Sequence, residues 1–338
     1  MADYLGLLKG QTLVSISEDF NYLKATQDFV GLKLFPMVKT ENMKLAVMEL
    51  IEGGDVPVMA LVHALDTEAK IGDRPNYTEL NYEIFLIKEK LNQGERLRKK
   101  IKDAGMSNEE KRIIEAVYAD AENLISRVLT RLEVMACELI STGQITVKEN
   151  NVNKTVTFGL PNTHRIAITG WNAPTHNILG DIVSIKKASK NKIVRALLSD
   201  KMMGYILANE GIQNVASNAN EYPTEDWAKT FFNNKFGIEF VVVDGEYKLN
   251  ALDNTTYKLF DEDTITWLTT KGTLGNTFMT STPDQDAGMV VKTNGFVTVD
   301  QWASNDPKTI WTMASAVGMP CPRNIRQFYI SAHTAIST

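Results

Sequence analysis

The stretch SNEEKRIIEAVYADAENLISRVLTRLEVMACELIST, residues 107–142, contains neither glycine nor proline and is followed by Gly143. Ser107 and Glu110 have the spacing of a capping box, which satisfies free backbone N–H groups at the start of a helix. Glycine directly after the last turn commonly ends a helix, because it adopts a positive φ without strain. The sequence therefore predicts one helix over residues 108–142, about 50 Å long at ~1.5 Å per residue. We call it the spine helix.

The apolar residues of the spine helix recur every three or four positions, which is the period of one helix face. They are Ile114, Val117, Ala121, Leu124, Val128, Leu132, Met135 and Leu139. A coiled coil is the alternative, but the pattern departs from a strict heptad after Val128 and lacks regular flanking charge pairs. We therefore expect this face to pack on a sheet of its own chain.

Strand patterns flank the spine helix on both sides. After it, residues 145–148 and 154–158 alternate apolar and polar side chains around a polar loop, as a half-buried hairpin does. Before it, residues 44–51 and 82–87 are rich in β-branched and aromatic residues, which favours strands. The connection between these two strands, of about 30 residues, is longer than ordinary loops and indicates a functional segment.

Residues 1–40 alternate short apolar patches with polar turns. They end at Phe35-Pro36, where proline should stop any helix. We interpret this region as an arm that docks on another molecule.

From Thr175 onward short elements alternate, which indicates a second unit. The patterns predict helices at 178–187 and 200–208, and strands at 192–198, 264–268 and 325–330. Asp-Gly and Asn-Gly pairs supply the positive φ angles of tight hairpins. We therefore expect hairpins at Asp244-Gly245, joining 238–243 to 246–249, and at Asn294-Gly295, joining 289–291 to 296–299.

Composition excludes several classes of protein. The 41 acidic and 36 basic side chains give a formal net charge of -5, so the chain lacks the positive field of a tight DNA reader. No run reaches the roughly 18 apolar residues of a membrane span, and the N-terminus lacks the basic start of a signal peptide. Cys137 and Cys321 have no close Cys or His neighbours and are expected to be reduced thiols.

Motifs for catalysis or cofactor binding are missing from the sequence. Gly272 and Gly275 form the nearest glycine pair, but no helix start follows to direct amides at a phosphate. The histidines, His63, His164, His176 and His333, are not at metal-ligand spacing and favour packing or surface roles. We assign no catalytic residue, no cofactor and no metal, and expect no enzymatic activity.

Two acidic groups could in principle hold a divalent cation. They are Asp261, Glu262 and Asp263, and the pair Asp284 and Asp286. Neither is embedded in a loop of alternating oxygen ligands, so both favour solvated turns.

The predicted elements follow the order arm, long two-stranded excursion, spine helix, hairpin, mixed unit and return strand. This order resembles the tailed-bacteriophage capsid fold of the Hong Kong ninety-seven type. More narrowly, the chain resembles the lambda-type major capsid protein family. The resemblance rests on Phe35–Glu41 leading into Met43–Ile51, on Arg74-Pro75, on the spine helix, on Phe260–Ile265 and on Pro322–Ile330.

The resemblance implies an α+β subunit with four parts. These are an N-terminal arm (1–40), an extended β-hairpin loop (41–93), a peripheral domain with the spine helix (94–174 and 313–338), and an axial domain (175–312). It implies a major capsid protein that assembles with itself through hexamers and pentamers into an icosahedral shell around double-stranded DNA.

Further partners follow from the same resemblance. About 40 residues precede the loop, which favours a separate scaffolding protein over a fused one. A portal is expected, and a decoration protein is left open. Assembly should take place in the host cytoplasm and end in the virion capsid.

The sequence leaves two interpretations of a basic tract open: a solvated linker, or a contact with acidic surface or with packaged DNA. The tract comprises Lys88, Lys90, Arg96, Arg98, Lys99, Lys100 and Lys102.

Two alternatives remain at this point. One is an encapsulin-like, non-viral shell protein of the same fold. The other is a metal-dependent α/β enzyme in residues 175–312 with the acidic turn at Asp261 as its site.

Overall fold

A computed structural model of the chain describes residues 10–41, 44–50, 77–94, 109–150, 152–252, 254–288, 295–306 and 308–336. Its helices are α1 (Gly10–Asp19), α2 (Tyr22–Ala25), α3 (Val30–Leu34), α4 (Glu109–Thr142), α5 (Ile178–Ala188), α6 (Asp200–Ala208), α7 (Glu210–Asn218), α8 (Glu225–Phe236) and α9 (Pro283–Asp286). Helices and strands both contribute to the core, so the fold is α+β, as predicted.

The strands alternate with these helices along the chain. They are β1 (Met37–Lys39), β2 (Lys44–Leu50), β3 (Tyr77–Glu83), β4 (Phe85–Gln93), β5 (Gln144–Glu149), β6 (Val152–Thr157), β7 (Arg165–Thr169), β8 (Arg195–Leu198), β9 (Glu239–Val242), β10 (Glu246–Tyr247), β11 (Tyr257–Lys258), β12 (Thr264–Leu268), β13 (Gly275–Thr280), β14 (Thr298–Asn305), β15 (Lys308–Pro322) and β16 (Phe328–Thr334).

The spine helix, α4, matches its prediction closely. It ends at Thr142, and Gly143 follows with φ 76°, donating its N–H to the Leu139 carbonyl at 2.9 Å. From Ala121 onward the predicted face is buried, and Leu124, Leu132 and Leu139 have no exposed surface. Ser107 and the side chains of Ile114 and Val117 lie outside the described residues.

The spine helix packs on a sheet of its own chain, which confirms the prediction. That sheet has the order β1, β13, β15, β14, and β4 pairs with the other edge of β15. Small residues on β15 let the helix approach. An added Cβ at Gly318 would lie 2.3 Å from the Met279 sulfur and 3.4 Å from Leu132 Cδ2. Larger residues there would separate helix and sheet.

A second sheet has the order β7, β16, β12, β8, β9. Helices α5 to α8 pack with it around Trp267, Phe232 and Trp171. The predicted helices at 178–187 and 200–208 are confirmed, as is the hairpin of β5 and β6. The last strand begins at Phe328, because Ile325–Gln327 form a 3-10 turn.

The hairpin predicted at Asp244-Gly245 is wrong. Strand β9 pairs in parallel with β8, and β10 pairs with β11. Gly245 is not among the glycines with a positive φ, and its carbonyl accepts the N–H of Leu259 at 2.8 Å. Pairing with a distant strand overrides the local turn preference here. At the second predicted turn, Asn294 and residues 289–291 lie outside the described residues.

The N-terminal region is also different from its prediction. Leu13, Ile16, Leu32 and Phe35 are buried in the same core as the spine helix. The expectation that this region docks on another molecule is therefore wrong for residues 13–35. Leu5 to Leu8 lie outside the described residues. The helix α3 does end before Phe35-Pro36, as expected.

Candidate functional site

A groove with a volume of about 760 Å³ lies beside the spine helix. Residues 127–135 of the spine helix form its floor. Its walls are Phe85–Glu89 of β4, the hairpin of β5 and β6, and the loop that follows β10. Three separate elements therefore surround one face of the spine helix without covering it.

Strand β4 forms an open edge along this groove. It pairs with β15 on one side, and no described strand pairs with its other side. The unpaired N–H and C=O groups of such an edge can accept an added strand.

Exposed apolar side chains gather around the groove. Leu86, Val152 and Leu249 line it and are 44%, 44% and 57% exposed. Leu252, at the tip of the adjacent loop, is 98% exposed. An apolar patch of this kind marks an interaction surface more often than a solvated one.

Several charges that line the groove are paired within the chain. Arg127 bonds Glu89, Arg131 lies 3.0 Å from Glu149, and Glu246 lies 2.8 Å from Lys258. Lys88 and Lys248 also line the groove, so it offers apolar contact, strand pairing and two lysine side chains to a ligand. Its composition suits a polypeptide.

A buried carboxyl, that of Glu133, lies on the same helix. Glu133 has no exposed surface, and its oxygens accept the backbone N–H groups of Gly31 and Leu32, each at 2.7 Å. Burial raises the pKa of Glu133, and these hydrogen bonds oppose that rise. The sequence pattern contains the signal, since Glu133 stands four residues after Leu129 and three before Ala136, on the apolar face.

The described histidines have structural contacts. His164 stacks on Tyr329 at 3.9 Å between ring centroids, and His176 lies 2.7 Å from Asp181. His333 is buried beside Trp171 and Ser331, and burial lowers its pKa to about 4. His63 lies outside the described residues.

The acidic turn at Asp261 joins secondary-structure elements. Asp261 Oδ1 accepts the N–H of Asp263 at 2.9 Å, and Asp263 bonds Lys201 at 2.7 Å. The Glu262 carbonyl accepts the Ser199 hydroxyl. Asp286 bonds Ser281 at 2.6 Å. Within the described ranges, no three His, Cys, Asp or Glu side chains are grouped as metal ligands.

The remaining candidates occupy ordinary positions. Cys137 and Cys321 are buried free thiols, and burial raises the pKa of both. Of the basic tract, Lys90 lies over the Trp311 ring at 4.4 Å, while residues 96–102 lie outside the described residues. In the part of the chain that the structure describes, no helix combines the length and apolar character of a bilayer span.

Two solved structures share the fold of this protein. A protein assigned as the capsid protein of a prophage of Escherichia coli CFT073 superimposes with a TM-score of 0.63 at 13% identity, over 97% of this chain and 99% of that one. A phage-related protein of Bordetella bronchiseptica RB50 gives 0.53 at 12% identity, over 95% and 96%. The fold is therefore that of phage capsid proteins. No curated protein sequence matches significantly.

Residues 12–331 match the phage major capsid protein E family, and the chain belongs to that family. It is a major capsid protein that forms the shell of a phage head, and its role is structural. The tailed-phage resemblance seen in the sequence is confirmed, and the encapsulin-like alternative is disfavoured. The groove is thus a candidate surface for contact between subunits.

Proposed function

We propose that the subunit assembles through hexamers and pentamers into an icosahedral shell around double-stranded DNA. In this proposal the ribbon of β2 and β3 from one copy lies along the groove of a neighbouring copy. Closed shells need contacts between different faces of identical subunits, and a ribbon and a groove are two such faces.

The single observation that carries the proposal is the isolation of the ribbon. Strands β2 and β3 pair with each other from Lys44–Glu83 to Leu50–Tyr77, and no other described strand joins them. A two-stranded ribbon is at best marginally stable alone in water. A neighbouring copy with an apolar groove and an open strand edge would supply the missing support.

The finer assignments belong to the same proposal. We divide the chain into an N-terminal arm (1–40), whose residues 13–35 pack on their own subunit, an extended loop (41–93), a peripheral domain (94–174 and 313–338) and an axial domain (175–312). The peripheral and axial domains share both large sheets. In one sheet, β13 and β14 of the axial domain pair with β15, and in the other, β7 and β16 of the peripheral domain join β12 of the axial domain. The subunit has no catalytic activity, and it assembles in the host cytoplasm.

Partners beyond the subunit itself are proposed from the family. They are a separate scaffolding protein, a portal and, where the shell needs it, a decoration protein. Packaged DNA meets the basic tract without sequence preference, through phosphate contacts that weaken as salt rises.

Groove variants test the proposal directly. The double substitution Leu86→Ser and Leu249→Ser removes two exposed apolar side chains that line the groove. The matched control is Tyr222→Ser, which removes an 82% exposed ring that does not line it. The groove variant should melt like the wild type and yet remain as small oligomers, whereas the control should form shells.

Electron microscopy and sedimentation velocity, with co-expressed scaffold, give the readout. Normal shells from the groove variant would contradict the proposed contact. A wild-type protein that stays monomeric at every concentration would contradict assembly itself.

A further inference from the structure

Glu133 places a carboxyl at the centre of an otherwise apolar contact between the N-terminal region and the spine helix. Both oxygens are used, because Gly31 and Leu32 each donate a backbone N–H at 2.7 Å. Cys137 Sγ donates to the same carboxyl at 3.3 Å. A buried carboxyl is tolerated only while such donors satisfy it.

The contact requires glycine at position 31. A Cβ added there would lie 2.7 Å from Ala136 Cβ and 2.9 Å from Glu133 Oε2. Both distances are far below normal contact, so α3 would have to move away from the spine helix. The two hydrogen bonds and the close approach therefore form together or break together.

The residues that follow this contact, 34–39, are anchored to the sheet and not to Glu133. The carbonyls of Leu34 and Pro36 accept the N–H groups of Leu274 and Thr277 at 2.8 and 2.9 Å. The Phe35 carbonyl accepts the Thr277 hydroxyl, and β1 pairs with β13.

Residues 10–33 are also held beside β14, where the Ser17 hydroxyl donates to the Val297 carbonyl and the Tyr22 hydroxyl accepts the Val297 N–H at 3.4 Å. These two bonds must break as well if residues 10–33 leave the spine helix while residues 34–39 stay in the sheet.

The carboxyl borders a cavity, although it has no exposed surface while α3 is in place. Glu133 lines a cavity of about 330 Å³, together with Val30 of α3. The other charged groups that line it are Asp28, Asp200, Glu225, Asp244 and Lys229. When α3 lifts, Glu133 would be hydrated through this cavity, so an open state leaves no unsatisfied charge in the core. An apolar side chain in its place would favour the closed state more strongly.

We propose that residues 10–33 form a detachable strap, locked on the spine helix by Glu133, which opens while the rest of the subunit stays folded. The subunit then has two states that differ in whether this face of the spine helix is covered. Local opening of this kind is typical of segments whose closure depends on few elements. The inference does not depend on how the subunit assembles.

Native-state hydrogen exchange of the full-length, unassembled subunit tests the strap. In the wild type, the amides of Gly31 and Leu32 should exchange at least ~10-fold faster than those of Leu129 and Leu132 in the spine helix, as local opening requires. In Glu133→Gln, the side-chain NH2 group would face the backbone N–H of Gly31 or Leu32 and could not accept a hydrogen bond from it. The substitution should speed exchange at both positions a further ~10-fold, the effect of losing one hydrogen bond to a charged group.

Two further variants keep the test decisive. Gly31→Ala should open the strap by steric contact without changing the spine helix, and trypsin should then cleave after Lys24 and Lys33. Glu138→Gln is the matched control, since Glu138 accepts the N–H of Thr146 at 2.9 Å and touches no strap residue through that bond. It should speed exchange at Thr146 and leave Gly31 unchanged.

The opposite result would overturn the strap. If Gly31, Leu32 and the spine amides all exchange at one rate, set by global unfolding, the N-terminal region is an integral part of the core. The same holds if Gly31→Ala lowers the melting temperature without accelerating cleavage after Lys24. Failure to form shells would bear on the proposed function alone, because the exchange measurement uses unassembled subunits.

Discussion

The N-terminal region and the β2–β3 ribbon have similar apolar patterns, but they differ in how they are covered. Both carry apolar patches separated by turn residues, and both precede the spine helix. The N-terminal region buries Leu13, Ile16 and Leu32 in its own core, whereas the ribbon pairs only with itself among the described strands. Apolar content shows that a segment must be covered, but it does not show whether its own chain covers it.

The largest effect is expected in the spine helix, on which the first of these regions packs. Leu124 has no exposed surface, so Leu124→Asp places an unpaired charge in the shared core. The free energy of unfolding should fall by about 4 kcal/mol or more. Denaturant unfolding measures it. An unchanged midpoint would mean that the spine helix is not the centre of this core.

A smaller loss is expected within the N-terminal region itself. Leu32 is 5% exposed and packs in the same core, so Leu32→Ala should destabilise the subunit by about 2–4 kcal/mol. If the strap opens before the rest of the subunit unfolds, Leu32→Ala can reduce the stability by no more than the free energy of closing the strap. Calorimetry of the variant measures this loss. A loss below about 0.5 kcal/mol, typical of surface sites, would mean that the N-terminal region is not part of its own subunit's core and docks elsewhere.

Acid should destabilise the subunit through His333, which belongs to neither the N-terminal region nor the ribbon. The pKa of His333 is lowered to about 4 by burial, from 6.5, so the unfolded chain binds the proton more tightly between these values. The stability that neutral His333 provides is complete above about pH 6.5 and should fall by up to roughly 3 kcal/mol towards pH 4.

The comparison of wild type with His333→Asn isolates this effect. Burial raises the pKa of Glu133 and Asp300, so these groups stabilise the fold as the pH falls and oppose His333. Their contribution cancels in the difference between the two proteins. An equal pH dependence of unfolding in both would show that His333 titrates normally.

The smallest effect on stability is expected in the ribbon. Replacing residues 46–81 with a short Gly-Ser link should change the free energy of unfolding by less than about 0.5 kcal/mol, as for surface changes. The same variant should fail to form shells. A loss comparable to that of Leu32→Ala would place the ribbon in the subunit's own core and remove the contrast with the N-terminal region.

The parts that the sequence predicts well are those whose signals are local. Helix periodicity and Gly143 locate the end of the spine helix, and alternation locates β5 and β6. Pairings between distant segments carry no comparable signal. The parallel pairing of β8 with β9 overrides the turn preference of Asp244-Gly245, and the amides that satisfy Glu133 lie about a hundred positions away, at Gly31 and Leu32.

The groove could not be predicted from the sequence, because it is formed by segments that lie far apart in the chain. Leu86, Val152 and Leu249 are ordinary strand or loop residues until the fold brings them around one groove. The absence of catalytic motifs did point to a structural role. Where the subunit would be touched depended on the packing of separate elements, which periodicity does not encode.

Strand β15 has a mechanical consequence. Its 15 residues span about 50 Å at ~3.3 Å each, nearly the length of the 34-residue helix that packs on it. Both of its edges are bonded, to β4 on one side and to β13 and β14 on the other. Tension along this strand must shear hydrogen bonds in both ladders at once, rather than peel them one by one. The subunit should therefore be stiffest along β15, and a wall built from it should yield first at the joints between subunits.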